Sequence, residues 1–276
     1  MIVDPFPVPR VKDEHVDGMF GCLTDVIQAR IEYLERQGGS GNAERVRFWK
    51  FALENLDPEV HAKIQKKYLR AGETVRLTGL PREEGGSRLP DMVKYIDPIV
   101  WLESKLRKCR EIGLHESKPL SILDIGTGPG HFPFAARFDG HRVVGLDFPQ
   151  EVNTGKAETF LYDDLCEFYR VPRVGFEIKA GESLVELGER FDLVTSFLAS
   201  FNVKRDVKNR PVWTPADWED FLDRCFKAWL KPGGRMIMTV DRNKVNKDCW
   251  EYLASRAAKA DPEMRFVEIH SPAPGA

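Results

Sequence analysis

The spacing of apolar residues divides the chain near residue 117 into a helical part and a part in which strands alternate with helices. Before that point, apolar side chains recur every three or four residues, which is typical of helices packed on one side. The spacing predicts helices over 19–34, 43–56, 58–69 and 99–112, with Pro98 at the first turn of the last one. The composition of 81–90 predicts a loop.

After Pro119, short β-branched runs alternate with helical stretches, the pattern of βαβ units around a parallel sheet. Strands are predicted over 120–125, 142–146, 175–179, 191–196, 235–240 and 265–270. A helix begins after Thr214, because Thr214, Pro215 and Asp217 supply a cap, a first-turn proline and an acid. We therefore expect an α/β fold with a doubly wound, mostly parallel sheet over 118–276 and a mostly helical extension over 1–117.

Composition narrows the class of partner. The chain of 276 residues is 42% hydrophobic and 30% charged with a net charge of −2, so no overall positive field attracts nucleic acid or a membrane surface. No apolar run is long enough to span a bilayer and the N-terminus does not resemble a secretion signal, so a cytoplasmic location is expected. The five cysteines are scattered and form no C-x-x-C pair, so neither a metal site nor a disulfide framework is predicted.

A glycine-rich turn follows the first predicted strand, in the sequence Asp124-Ile125-Gly126-Thr127-Gly128-Pro129-Gly130. Glycine permits positive φ and has no Cβ, so a ligand can lie directly against the backbone at the start of a helix. The second strand ends about 20 residues later in Asp147, a spacing typical of nucleoside-binding units. Together the two features indicate a nucleoside site, and a packing turn beside a solvated Asp147 is the plainer alternative.

The order of these motifs resembles that of class I, Rossmann-like methyltransferases that depend on S-adenosylmethionine (SAM). The segment 124–130 resembles their first motif, Asp147 their ribose-binding acid, 191–194 their fourth strand and 230–235 the Leu-x-Pro-Gly-Gly turn before their fifth. The resemblance covers about residues 118 to 245. His131 stands where the dinucleotide fingerprint G-x-G-x-x-G has its third glycine, which favours SAM over a nicotinamide cofactor.

The resemblance implies a SAM site, with S-adenosylhomocysteine (SAH) as the product. Asp124 would hold the amino group of the methionine portion, Asp147 the ribose, Phe148 one face of the adenine and Glu182 the adenine amino group. Further cofactor contacts are expected at Gly126, Thr127, Gly128, Gly130, Ser183, Ser196 and Phe197. The family commonly ends in two further strands, whereas only 265–270 is clear here, so either a strand lies within 241–247 or the sheet is shortened.

Candidates for acceptor chemistry are few, because the cofactor carries the activated methyl group and a base is needed only for a protonated nucleophile. His131, at a helix start near the expected methionine end of SAM, is the leading candidate base, although it could simply shape the pocket. Asn202 is a candidate for orienting a substrate, although it could simply cap a loop. The basic loop 204–210 is interpreted as solvated, although it could hold an acidic group of the substrate, and candidate wall residues are Tyr68, Arg70, Tyr95 and Trp101.

The function expected from these residues is methyl transfer from SAM to an oxygen or nitrogen atom of a small molecule. The alternatives are a protein or RNA acceptor, a non-catalytic SAM-binding module and, least favoured, a nicotinamide-dependent oxidoreductase. The segment 196–199 does not match the N-P-P-Y-like tetrapeptide of enzymes that methylate exocyclic amino groups of bases, which argues against a nucleic-acid partner. No membrane partner is expected, and the sequence leaves the oligomeric state open.

Overall fold

The computed structural model describes residues 23–68, 93–149, 158–199, 201–203, 211–241 and 243–273. Four helices come first: α1 (Leu23–Gln37), α2 (Ser40–Asn55), α3 (Pro58–Tyr68) and α4 (Pro98–Glu111). Strands and helices then alternate through β1 (Ser121–Ile125), α5 (His131–Phe138), β2 (Arg142–Asp147), α6 (Glu158–Phe168), β3 (Arg173–Gly175), β4 (Phe191–Phe197), α7 (Pro215–Ala228) and β5 (Leu230–Thr239). The last elements are α8 (Lys247–Arg256), β6 (Lys259–Asp261) and β7 (Phe266–His270).

The described strands form one seven-stranded sheet in the order β3-β2-β1-β4-β5-β7-β6. Strands β1 to β5 pair in parallel, whereas β7 is antiparallel to both β5 and β6. The predicted α/β fold with a doubly wound, mostly parallel sheet is confirmed. The strand order reverses between β1 and β4, and in such sheets the carboxyl edge at the reversal is where ligands bind.

Two predictions about strands are wrong. The third strand ends at Gly175, where pairing with Asp147 stops, so 176–179 is not part of it. The C-terminal strand that the sequence left open is β6, which lies beyond α8 and not within 241–247. Near the start of that segment, the side chain of Asp241 accepts a hydrogen bond from the Asn243 amide. Because β6 has only three residues and is largely exposed, it lacks the apolar alternation by which a strand is predicted.

Each face of the sheet carries its own hydrophobic cluster. Ile122 and Leu193 face the first cluster, which contains residues of α1 to α6. Leu123 and Val194 face the second, which contains residues of α7 and α8. Neighbouring residues of a strand point to opposite faces, so the central strands β1 and β4 are buried on both sides. The described N-terminal helices thus pack on the same face as α5 and α6.

A buried ion network fixes α4 to the first two helices. The carboxylate of Glu103 accepts hydrogen bonds from Arg30 Nε at 2.9 Å and Nη2 at 2.8 Å, from Arg45 Nη2 at 2.5 Å and from Trp49 Nε1 at 2.7 Å. Burial favours the neutral acid, but these donors and the two guanidinium charges outweigh it and lower the pKa of Glu103. The network holds α4 in place beside the carboxyl edge of the sheet.

Three findings bear on membrane, metal and thiol chemistry in the described part of the chain. None of the helices described is both long enough and apolar enough to cross a bilayer. No group of three or more His, Cys, Asp or Glu residues in these ranges is arranged to hold a metal ion. Cys109, Cys166, Cys225 and Cys249 are buried free thiols, and Cys22 lies outside the described residues.

Candidate cofactor site

A cavity of about 560 Å³ lies at the carboxyl ends of β1, β2 and β4. This volume falls within the roughly 300–1,000 Å³ of small-molecule sites. The lining residues come from the turn after β1, the ends of β2 and β4, the segments after β3 and β4, the helices α4, α5 and α6, and the short 3₁₀ helix Val93–Ile96 before α4. The residues predicted from the sequence that line it are Asp124, Gly126, Thr127, Gly128, His131, Asp147, Phe148 and Phe197, together with the wall candidates Tyr95 and Trp101.

The three glycines of the turn have positive φ, +71° at Gly126, +53° at Gly128 and +83° at Gly130. A Cβ at Gly126 would lie 2.3 Å from Cβ of Ala199, so this glycine lets the loop after β4 approach the turn. At Gly130, which caps α5, a Cβ would meet the Cys166 thiol at 3.3 Å. Gly130 packs against α6 and is not among the cavity-lining residues, so the expected cofactor contact at this glycine stays a prediction.

Leu198 brings Ala199 to the turn through an unusual backbone conformation. Its φ is +60°, in the left-handed region, and its amide donates to the Thr239 carbonyl at 2.7 Å. This conformation costs a residue with a Cβ about 1–2 kcal/mol. The side chain of Leu198 remains 62% exposed at the cavity. The contact between Ala199 and Gly126 thus joins the ends of β1 and β4.

The carboxylate of Asp147 faces the turn. Oδ2 accepts a hydrogen bond from the Gly128 amide at 2.7 Å, and Oδ1 accepts one from the Phe148 amide at 2.8 Å. A carboxylate has about four acceptor positions, so two backbone donors leave capacity for further hydroxyl donors. Phe148 lies beside it on the cavity wall, and Arg173 Nη2 donates to the Phe148 carbonyl at 2.9 Å.

Asp124 is a buried carboxyl group at the end of β1. It is 4% exposed and accepts a hydrogen bond from Thr195 Oγ1 at 2.7 Å. Burial raises its pKa to about 6, although hydrogen bonding and the ammonium of Lys105 act in the opposite direction. At neutral pH Asp124 is therefore mainly ionised and able to bind a cation.

Lys105 is a cavity residue for which the sequence analysis gave no indication. It is half-buried on α4, one turn after Trp101, and burial lowers its pKa while Asp124 opposes that change. No hydrogen bond or ion pair links its ammonium to any residue that the structure describes. The four-residue spacing from an aromatic side chain is the only sequence signal that could have revealed it.

His131 lies in the cavity wall, but its environment is unsuited to a general base. The ring is 2% exposed, and Nε2 donates to the Tyr95 carbonyl at 3.1 Å. Burial and, to a smaller extent, the nearby Lys105 charge lower the pKa of His131 to about 3. A base this weak takes up little proton from an acceptor at neutral pH. These surroundings favour the alternative in which His131, stacked on Trp101, shapes the pocket as a neutral wall residue.

The structure gives no support to the expected cofactor contacts at Glu182 and Ser183, which stay predictions. Both side chains are exposed and neither is among the cavity-lining residues, because the chain turns away after the strand. Glu182 instead forms an ion pair with Lys179 at 3.7 Å. Phe176 and Ile178 line this part of the cavity, so an apolar wall occupies the place where an acid was predicted.

Asn202 and Ser196 are structural residues. Asn202 is 3% exposed, donates from Nδ2 to the Lys244 carbonyl at 2.5 Å and accepts at its backbone carbonyl from the Trp213 amide at 3.0 Å. Ser196 is 2% exposed within the centre of the sheet. Neither is among the cavity-lining residues, so the expected substrate contact of Asn202 and the expected cofactor contact of Ser196 have no support in the geometry and stay predictions.

An aromatic wall formed by Tyr95, Trp101 and Tyr162 borders the cavity. The ring centroids of Tyr95 and Trp101 are 4.7 Å apart, and those of Tyr95 and Tyr162 are 5.8 Å apart. Tyr162 was missed because no motif marks α6. Tyr68 is not among the lining residues, since its hydroxyl donates to Asp164 at 2.7 Å. Arg70 and the basic loop 204–210 lie outside the described residues.

Comparison with known proteins finds similar structures but no similar sequence family: no family model and no curated sequence matches the chain. A phosphoethanolamine N-methyltransferase 1 from Haemonchus contortus matches at 16% identity over 50% of this chain, with a TM-score of 0.33. N-methyltransferase NodS from Bradyrhizobium japonicum matches at 13% identity over 64% of this chain and 99% of its own, with a TM-score of 0.41. An O-methyltransferase family protein from Burkholderia thailandensis matches at 10% identity over 79% of this chain and 73% of its own, with a TM-score of 0.38.

This chain spans only 25% of the Haemonchus protein. The three matches are described as methyltransferases, the class that the sequence motifs resemble. At these identities and TM-scores the matches say nothing about the function of this chain. The function proposed below rests instead on the residues of its own cavity.

Proposed function

We propose that the cavity binds SAM and that the protein transfers the methyl group to an oxygen or nitrogen atom of a small molecule. One observation carries this proposal. The glycine turn and the Asp147 carboxylate line the same cavity, at the edge where the strand order reverses. A ribose bound by Asp147 would place the rest of the nucleoside against the turn.

The residues present fit each portion of SAM. Asp147 retains acceptor capacity for the ribose hydroxyls, and the apolar side chains of Phe148, Phe176 and Ile178 suit the adenine. Asp124 supplies a buried negative charge for the amino group of the methionine portion. When bound, SAM supplies a methyl group already activated on a sulfonium, so the chain's own task is alignment and exclusion of water.

The aromatic wall contributes to that task. Tyr95, Trp101 and Tyr162 are only partly exposed and limit the access of water from the side of α4 and α6. The side chain of Leu198 lies at the end of β4, next to the expected acceptor. His131 stays neutral in this setting, so its contribution is the shape of the wall.

Thermal unfolding with SAM, SAH, NAD and NADP tests the proposal. SAM and SAH should each stabilise the fold, by about 2.7 kcal/mol at a ligand concentration of 100 times Kd. A shift with NAD or NADP alone would contradict the proposed cofactor. Labelled methyl transfer should then appear in a small-molecule fraction. Label in protein or RNA would show that the acceptor is a macromolecule and not a small molecule. SAM binding without transfer to any fraction would favour a non-catalytic module.

A further inference from the structure

The ammonium of Lys105 differs from the other partly buried cations of α4, Lys108 and Arg110. Lys108 pairs with Glu111 at 2.5 Å, and Arg110 pairs with Glu44 at 2.8 Å and also with Asp139. Lys105 lines the cavity, half-buried, and has no such partner among the described residues. Partial burial of a charge is unfavourable unless an opposite charge accompanies it, so this position suits an anionic ligand.

The nearest candidate anion within the protein does not fill this role. Asp124 attracts Lys105 electrostatically, but no ion pair joins the two residues, and its carboxylate accepts a hydrogen bond from Thr195 instead. In the proposed function, Asp124 binds the amino group of the donor. A second anion is therefore needed for Lys105, and a ligand has to supply it, either as the donor's own carboxylate or as part of the acceptor.

The position of Lys105 on α4 favours the acceptor as the source of that anion. Near the start of α4, Trp101 stacks on His131 with the ring centroids 6.1 Å apart. Farther along the helix, Lys108 Nζ lies 5.6 Å from the centroid of the Phe197 ring at the end of β4. Lys105 lies between these two contacts, towards the part of the edge where an acceptor binds in this type of sheet. An anion held there lies close to the end of β4.

The aromatic wall defines the rest of the ligand. Trp101 and Lys105 are four residues apart on α4, so their side chains lie on the same face of the helix. Tyr95 and Tyr162 continue the wall from neighbouring elements, and all three rings are partly exposed in the cavity. Such surfaces bind planar rings by stacking and edge contacts. A ring with a carboxylate attached directly or through one methylene can contact the wall and Lys105 together.

We infer that the methyl acceptor is a small aromatic acid whose ring packs against Tyr95, Trp101 and Tyr162 and whose carboxylate pairs with Lys105. This inference rests on the proposed function, because it names the acceptor class for the same cavity. Lys105 then determines specificity by distinguishing the acid from its neutral amide.

Titration calorimetry tests the inference in two steps. SAH is first titrated into the wild type and into the variants Lys105→Met, Lys105→Arg and Arg107→Met. Each SAH-saturated protein is then titrated with indole-3-acetate, phenylacetate and 4-hydroxybenzoate, and with the three corresponding amides. Arg107 is the matched control, because it is an exposed cation on the same helix and does not line the cavity.

We expect at least one acid to bind the wild type about 10- to 100-fold more tightly than its amide, since a hydrogen bond to a charged group contributes about 1.5–3 kcal/mol. Lys105→Met should remove this preference while SAH still binds. Lys105→Arg should retain the preference in part, and Arg107→Met in full.

Three outcomes would overturn the inference while leaving the cofactor site intact. These are no binding of any acid to the SAH-saturated wild type, equal binding of acids and amides, and a loss of SAH affinity in Lys105→Met. The last would assign Lys105 to the donor's own carboxylate. Failure of the wild type to bind SAH at all would instead reject the proposed function, so the two failures are distinguishable.

Discussion

Asp124 and Asp147 occupy different environments at neighbouring strand ends. Asp124 is buried and its pKa is raised to about 6, whereas Asp147 is partly exposed and accepts hydrogen bonds from two backbone amides. The first suits a cationic amino group, and the second suits neutral hydroxyls. We therefore expect the ionisation of Asp124 to make ligand binding depend on pH.

SAH should bind with constant affinity from pH 7 to 8 and more weakly below pH 6. The ligand's ammonium requires the ionised carboxylate of Asp124. Below the Asp124 pKa of about 6, this carboxyl group must lose a proton before it can bind the ammonium. The affinity should therefore fall by a factor approaching ten per pH unit. Calorimetry at pH 5, 6, 7 and 8 checks this. Asp124→Asn should bind weakly and without this dependence, and an equal loss at low pH in that variant would assign the titration to another group.

The residues that could be predicted are those fixed by local backbone geometry. A glycine turn between a buried strand and a helix, with an acid at the end of the next strand, specifies its own arrangement, and Asp124, Gly126 and Asp147 all line the cavity. Lys105 and Tyr162 reach it only through the packing of α4 and α6 on the sheet, which no local pattern encodes. Glu182 lies on an exposed loop, so its expected adenine contact has no support in the structure and stays a prediction.

Among the elements, α4 has the largest effect on the site, since Trp101 and Lys105 both belong to it. Its position depends on Glu103, whose partners Arg30 and Arg45 lie 73 and 58 residues away in sequence. The helix itself was predictable from its apolar spacing and Pro98. The ion network was not, because it joins residues that only the folded chain brings together.

Glu103→Ala should lower the free energy of unfolding by about 3–5 kcal/mol, because it leaves the buried guanidinium of Arg30 without its carboxylate partner. Arg30 is only 8% exposed, so solvent compensates little. Glu111→Ala on the same helix is the control, since the Glu111 side chain is 48% exposed in its ion pair with Lys108 and its loss should change stability by at most about 1 kcal/mol. Urea unfolding measures both variants. Equal effects would show that the Glu103 network does not stabilise α4.

For the molecule as a whole, the sheet brings distant segments to one edge. Parallel pairing aligns the carboxyl ends of β1, β2 and β4, and helices on both faces close the core around them. This architecture could be predicted, because strands buried on both sides have a distinctive apolar pattern. The short, exposed β6 could not, since its place depends on pairing with β7 rather than on its own residues.

The central claim is that this edge binds the adenosyl group of the cofactor through Asp147. Calorimetric titration of SAH into the wild type, Asp147→Ala, Asp147→Asn and Glu182→Ala tests it most directly. We predict one site per chain in the wild type, at least about 100-fold weaker binding in Asp147→Ala, weaker binding also in the isosteric Asp147→Asn, and unchanged affinity in Glu182→Ala. Wild-type affinity in both Asp147 variants, or a loss confined to Glu182→Ala, would contradict the account.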